Sequence, residues 1–283
     1  MHIRLLIFFS FVMVCKVEAQ QDSTKATLTV AAMYNSNINY YGQVTLERFP
    51  YVLFNATLRF PNGLYFSGGG YKLLNYGSTI SETDLGIGYD YDFNEEFTAG
   101  LAYTHSFFPS NSPLLQASNN NNINASAAYQ WPWFKTDLSV DVAFGKQTDG
   151  FISFGNLKEI ELGKVFNEKN LISIAPAIEI TAGTTRFYET YLIEKNKRQH
   201  SNGNGKGKND HVPGIVNGNT TEVVENTVHQ FKLLSYNFKL PLNWSTGNFL
   251  AEASYQFSIL GNRKEENVKH QQSFFGLAVY YQF

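Results

Sequence analysis

Cysteine occurs once in the chain, at position 15. It falls inside an amino-terminal segment that reads as cleavable, so the mature protein has no thiol, and neither disulfides nor thiolate metal sites are available to it. Long apolar runs are missing too. No stretch reaches the roughly 18 consecutive apolar residues of a membrane helix, which excludes a membrane protein made of helices. Neither charge is in excess: 22 basic residues are balanced by 24 acidic ones, which argues against a nucleic-acid-binding surface.

Aromatic residues, by contrast, are abundant. Seventeen Tyr and 24 Phe help bring the aromatic share to 16%. That bias fits a barrel with aromatic girdles at both membrane interfaces, and an aromatic-rich soluble β protein would share it. The length of 283 residues suits one large β domain or two small ones.

Residues 1–19 read as a secretory leader. Arg4 supplies a short basic region, Leu5 to Val14 an apolar run, and Val17-Glu18-Ala19 a small-residue cleavage site before Gln20. The run is too short to span a bilayer. Val14 before Cys15 is a poor match to the small residue that a lipoprotein signal needs. Residues 20–283 are then the mature domain.

From Ala26 onward, apolar and polar residues alternate with a period of two, segment after segment. Leu85, Ile87, Tyr89, Tyr91 and Phe93 stand against Asp84, Gly86, Gly88, Asp90 and Asp92. Leu138, Val140, Val142 and Phe144 stand against Asp137, Ser139, Asp141 and Ala143. Pro176 interrupts one such segment and predicts a bulge. Short turns fall near residues 62, 95, 132, 168 and 246, and longer polar connections near 42, 77, 115, 149, 208 and 266. The connection at about 188–228 contains RQHSNGNGKGKND, has no periodicity, and reads as a long external loop. Its Gly203 to Lys208 run fails the phosphate-loop spacing, and no cofactor is implied by any motif.

The pattern predicts an all-β fold: a transmembrane antiparallel up-and-down β-barrel of about twelve strands, with short periplasmic turns, longer external loops and both termini on the periplasmic side. A soluble barrel of that size would have to fill a wide lumen with Leu, Ile, Phe and Tyr. Turned toward lipid, the same faces need no partner, and closure removes the sheet edges.

The last segment, QQSFFGLAVYYQF from Gln271 to Phe283, resembles the final strand of outer-membrane β-barrel proteins, which ends in an aromatic residue with apolar residues at alternate positions before it. The resemblance implies an assembly signal at Leu277, Val279, Tyr281 and Phe283, read by the barrel-assembly machinery. It also implies a Gram-negative outer-membrane location, with outer-membrane lipids and lipopolysaccharide as surroundings. A further likeness covers strands one to five: Tyr34 through Tyr40-Tyr41-Gly42, then Tyr65-Phe66-Ser67-Gly68, Glu82 to Tyr89, Tyr103 and Phe108-Pro109 resemble the TorF-type putative porins. That family has an Arg-Gly pair near the first strand where this chain has Tyr41-Gly42.

With the apolar faces toward lipid, Arg59, Asp84, Asp90, Asp92, Asp137, Asp141, Glu159, Glu161, Glu179, Lys239 and Glu252 are expected to line the lumen. An acid-rich wall would favour cations or basic and neutral solutes by its field. Alternatively, these carboxylates are bonded internally and plug a small polar core. The expected function is a narrow porin-like channel for small solutes or ions. Its rival is a non-conducting structural or ligand-binding barrel that works through its external loops. A lipid hydrolase resembling outer-membrane phospholipase would need a Ser two residues after a His, so that both share a strand face. His105-Ser106 and His200-Ser201 are adjacent, and His270 and Ser273 are three apart, so no enzyme is expected. None of these patterns sets the oligomeric state.

Overall fold

The computed structural model describes residues 25–110, 112–165, 169–188, 231–261 and 268–283. The leader assigned to residues 1–19 lies outside the described residues, and so does the loop assigned to 188–228 apart from Tyr188.

Fourteen strands follow one another along the chain. The first five are β1 (Thr27–Asn35), β2 (Tyr51–Arg59), β3 (Leu64–Leu73), β4 (Glu82–Asp92) and β5 (Phe97–Phe107). After a short 3-10 helix (Leu115–Ser118) come β6 (Asn121–Gln130), β7 (Lys135–Phe144), β8 (Thr148–Leu157) and β9 (Ile160–Lys164). The remainder are β10 (Asn170–Ile174), β11 (Ala177–Gly183), β12 (Lys232–Thr246), β13 (Phe249–Leu260) and β14 (Gln271–Gln282). β8 with β9, and β10 with β11, are each one barrel strand broken in the middle, so fourteen segments make a closed 12-strand antiparallel barrel.

Closure is made by β14, which pairs with β13 on one side and with β1 on the other, from Thr29↔Gln282 to Asn35↔Gly276. Every backbone ladder therefore finds a neighbour, as a bilayer requires. The breaks share one cause. Pro176 has no N–H to give, so the ladder stops between β10 and β11, and Lys158 N donates to Pro176 O at 3.1 Å across the gap. The bulge expected at Pro176 is thus a full interruption.

The side-chain period is the one in the sequence. On β4, Leu85, Ile87, Tyr89 and Tyr91 are 42–57% exposed, while Asp84 and Asp90 between them are 4% and 7% exposed. A belt of Leu, Ile, Val and aromatic side chains covers the outside, and polar residues turn inward. β3, which has no clear facing in the sequence, sends Tyr65, Tyr71 and Leu73 inward and Phe66 outward.

Turns joining β2 to β3, β4 to β5, β6 to β7, β9 to β10 and β12 to β13 lie on the side of both termini, the periplasmic end by the usual rule for such barrels. Gly63 shows how tight these turns are: its φ is +91°, and a Cβ there would lie 2.0 Å from the Asp90 carbonyl oxygen. One expectation needs correction. No long polar connection exists near residue 149; β7 and β8 are joined at the external end by residues 145–147 alone, and Asp149 sits within β8. Asp149-Gly150 looks like turn chemistry, but the carboxylate is fully buried and held by donors from two external connections.

Candidate functional site: the barrel lumen

The interior has two halves of different construction. The external half is filled by the connection between β1 and β2. Its tip is a two-residue hairpin: Tyr40 N donates to Gln43 O at 2.9 Å and Gln43 N to Tyr40 O at 2.8 Å, with Tyr41 and Gly42 between them at φ of +49° and +80°. The tip points into the barrel. Tyr41 stacks on Phe151 of β8, with ring centroids 3.5 Å apart and planes 3° from parallel. Tyr40 meets Phe187 edge to face at 4.8 Å. Gly42 lies so close to β12 that a Cβ would fall 2.1 Å from the Ser235 hydroxyl oxygen.

Other residues of the same connection reach the rest of the wall. Ile38 and Phe49 pack with Tyr51, Leu53, Tyr71, Leu73 and Leu114, on the side of β2 and β3. Val44 packs with Leu260, Val268 and Phe274, on the side of β13 and β14. The connection therefore crosses the external mouth from wall to wall. A left-handed backbone at a Tyr costs on the order of 1–3 kcal/mol. Burying a single large apolar side chain returns about 1.5–3 kcal/mol, so several packed rings outweigh the strain. Burial, and after it the nearby Asp141 carboxylate, pushes the Tyr41 phenol well above its ordinary pKa, which keeps this contact neutral.

Polar latches hold the plug. The Asp149 carboxylate accepts from Asn119 Nδ2 at 2.9 Å, Thr184 Oγ1 at 2.6 Å, Arg186 N at 2.9 Å and Phe187 N at 3.0 Å. Glu82, 1% exposed, accepts from Gln116 Nε2 at 3.0 Å and so anchors the β5–β6 connection. Neither acid stands out in the sequence. The signal that could have found Asp149 is the parity of Ile152 and Phe154, which puts Asp149, Phe151 and Ser153 on one inward face.

Below the tip of the plug lies a cavity of about 220 Å³, bordered by Asn37, Asn39 and Gly42 of the β1–β2 connection as well as by residues of the periplasmic half. Glu179, Lys239, Glu252 and Gln256 line it on one side, Asp137 and Ser153 on the other, and Tyr41 caps it from the plug. The expected lumen residues fall into three groups. Some are paired: Arg59 with Asp90 at 2.6 Å, its guanidinium 5.0 Å over the Tyr65 ring; Lys239 with Glu179 at 2.8 Å; and Asp137 with Lys135 at 3.1 Å. Others are bonded to neutral donors. Asp84 accepts from Ser106, and Asp141, fully buried, accepts from Asn122 and Asn124 at 2.9 Å and Ser139 at 3.0 Å. Asp92 and Glu159 are exposed and accept from Thr98 at 2.6 Å and Ser173 at 3.2 Å, Glu161 is exposed beside them in sequence, and Glu252 faces the cavity.

At the final strand, Leu277, Val279, Tyr281 and Phe283 are 41–66% exposed on the outer face, opposite Gly276 and Ala278. His105 and Ser106 take opposite faces: the His105 ring contacts Asn121 Oδ1 at 2.8 Å, and Ser106 turns inward to Asp84. Among the described residues no group of three or more His, Cys, Asp or Glu is arranged to hold a metal ion.

A closed, even-stranded antiparallel barrel with an apolar outer belt and a polar interior defines a class. The chain is a transmembrane β-barrel of the outer-membrane type. No known protein family matches its sequence, and no curated protein does. Among solved structures it is similar in shape to the KdgM porin, at 12% identity over 90% of this chain and 99% of that one, with a TM-score of 0.49. It is also similar to an outer membrane channel from Pseudomonas putida F1, at 12% identity over 93% and 98% of the chains and a TM-score of 0.48. LpxR from Salmonella typhimurium matches at 7% identity over 90% and 99%, with a TM-score of 0.47. These likenesses describe barrel shape, and no residue role is carried over from them.

Proposed function

We propose that the chain is a narrow porin-like channel for small solutes, with a preference for cations and neutral molecules over anions. The observation that carries this reading is the cavity inside a lipid-facing barrel, with four charged side chains among the residues that line it. Of the charged side chains that line it, Asp137, Glu179 and Glu252 are acidic and Lys239 is basic. The low-dielectric wall around such a site focuses its field, so local negative charge raises cation occupancy. Reversal potentials of purified protein in planar bilayers under a KCl gradient test the preference. A potential with the sign of cation selectivity is expected, and anion selectivity would overturn it.

A second reading has one observation in its favour. The packed hairpin at Tyr40 to Gln43 suits a barrel that does not conduct and that engages a ligand or partner through its external connections. Single-channel steps separate the two: discrete openings favour the channel, and a silent, folded barrel favours the binding role. Liposome swelling with sugars, amino acids and nucleosides would then rank the small solutes. As part of the same proposal, residues 1–19 are a leader removed on export, and lipopolysaccharide and outer-membrane lipids contact the outer belt. The alternating residues from Leu277 to Phe283 serve the assembly machinery.

A further inference from the structure

At one level of the periplasmic half, register aligns a row of inward residues: Glu161 opposite Ser173, Ser173 opposite Asn243, Asn243 opposite Glu252, and Glu252 opposite Ala278. Two of the four polar side chains in this row, Glu161 and Glu252, are carboxylates, which only accept when ionised. The Ser173 hydroxyl donates to Glu159 at 3.2 Å and is therefore not available to Asn243. Asn243 is 3% exposed, and its Oδ1 has no hydrogen-bond partner among the described residues. Glu252 accepts from the neighbouring Ser254 hydroxyl, and no Lys, Arg or His among the described residues pairs with it. The ammonium that lines the same cavity, Lys239, is taken by Glu179 at 2.8 Å. Next to Glu252 the wall is small, with Gly276 and Ala278, and Glu252, Gly276 and Ala278 all border the cavity.

A buried carbonyl without a donor beside a carboxylate without a counter-ion is costly unless something supplies both hydrogen bonds and positive charge. An ammonium group does so: it carries three donors, no acceptor and a full charge. We propose that Glu252 and Asn243, backed by Glu159, form a subsite for the ammonium group of a small aliphatic amine. Glu252 provides the counter-charge, Asn243 orients the group by accepting one N–H, and the alkyl chain extends into the cavity that Glu252 borders.

The role of this subsite in transport rests on the channel reading, but binding can be measured on a barrel that does not conduct. The test is calorimetric titration of the folded, detergent-solubilised protein with putrescine, with 1,4-butanediol as the uncharged analogue of the same length. Putrescine should bind saturably and butanediol should not. Glu252→Gln should weaken putrescine binding by about tenfold or more, and Asn243→Ala by a few fold. Heat-dependent gel mobility reports whether each variant is folded, and Glu252→Asp replaces Glu252→Gln if the latter fails to assemble. No putrescine binding by the wild type, equal binding by folded Glu252→Gln, equal binding of butanediol, or displacement of putrescine by an equal concentration of K⁺ would each overturn the amine subsite. Saturable binding without any conductance would instead keep the subsite and sink the channel reading.

Discussion

The two halves of the lumen solve the same problem with opposite materials. At the external end the space is filled by hydrophobic packing, with Tyr40, Tyr41, Phe151, Phe187 and Tyr188 all within 1% of full burial. Toward the periplasmic end it is walled by charged and polar side chains interspersed with apolar ones and left partly open around the cavity. The strand wall is continuous between them, so the difference comes from the connections. The external connections between β1 and β2 and between β5 and β6 are long enough to fold inward, while the periplasmic turns, such as Gly247 and Asn248 between β12 and β13, cannot reach the axis. A barrel of this kind sets its bore by what its loops do rather than by its strand count.

The sharpest way to break the contrast is to remove the packed half. Replacing residues 38–48 with a short Gly-Ser linker should raise single-channel conductance several-fold while the barrel still shows heat-dependent gel mobility. Unchanged conductance would mean that the hairpin does not limit the path. Next in size is Asp149→Asn, which leaves the shape but weakens four charge-assisted hydrogen bonds. It should cost about 3 kcal/mol in urea unfolding and speed tryptic cleavage in the external connections. Unaltered proteolysis would remove Asp149 from the latch.

In the polar half, Arg59→Met strands Asp90, whose side chain is 5% exposed, but Arg59 itself is 23% exposed, so solvent screens part of the loss. About 1–2 kcal/mol of destabilisation is expected, with little change in conductance. A double-mutant cycle with Asp90→Asn checks it, and an absent coupling would show that the pair is only geometric. Smallest in stability is Phe283→Asp at the edge of the belt, about 0–1 kcal/mol at an interfacial position. Its effect should fall instead on the fraction of chains that reach the membrane folded, with conductance per assembled barrel unchanged. Normal assembly would remove Phe283 from the assembly signal.

Much of the strand wall was legible because its rule is local. Leu85 to Asp92 alternates strictly, and lipid on one side and polar groups on the other leave only one facing. Pro176 could be read for the same reason, since one missing N–H disturbs one ladder wherever it occurs. The plug was not legible. Ile38, Tyr40, Tyr41 and Val44 sit in a connection whose Ser, Asn, Gly and Pro residues read as a loop, and their burial depends on partners as remote as Phe187 and Leu260. The long polar connection expected near residue 149 is not there, and the burial of Asp149 was not legible because its four donors come from residues 119, 184, 186 and 187. The lumen acids were legible as positions but not as pairs: nothing local links Arg59 to Asp90 across the intervening β3, or Glu179 to Lys239 across a long connection.

The hairpin at the mouth also sets an order of events. Its residues come from the first fifth of the chain, yet Gln43 Nε2 donates to Leu234 O at 3.4 Å across 191 residues, and Val44 packs on Phe274 of the closing strand. Loop closure over such a span comes late. Tyr40 and Tyr41 must therefore stay undocked while most of the wall is laid down. They can settle only once β12 to β14 have arrived, so a seated hairpin marks a finished barrel.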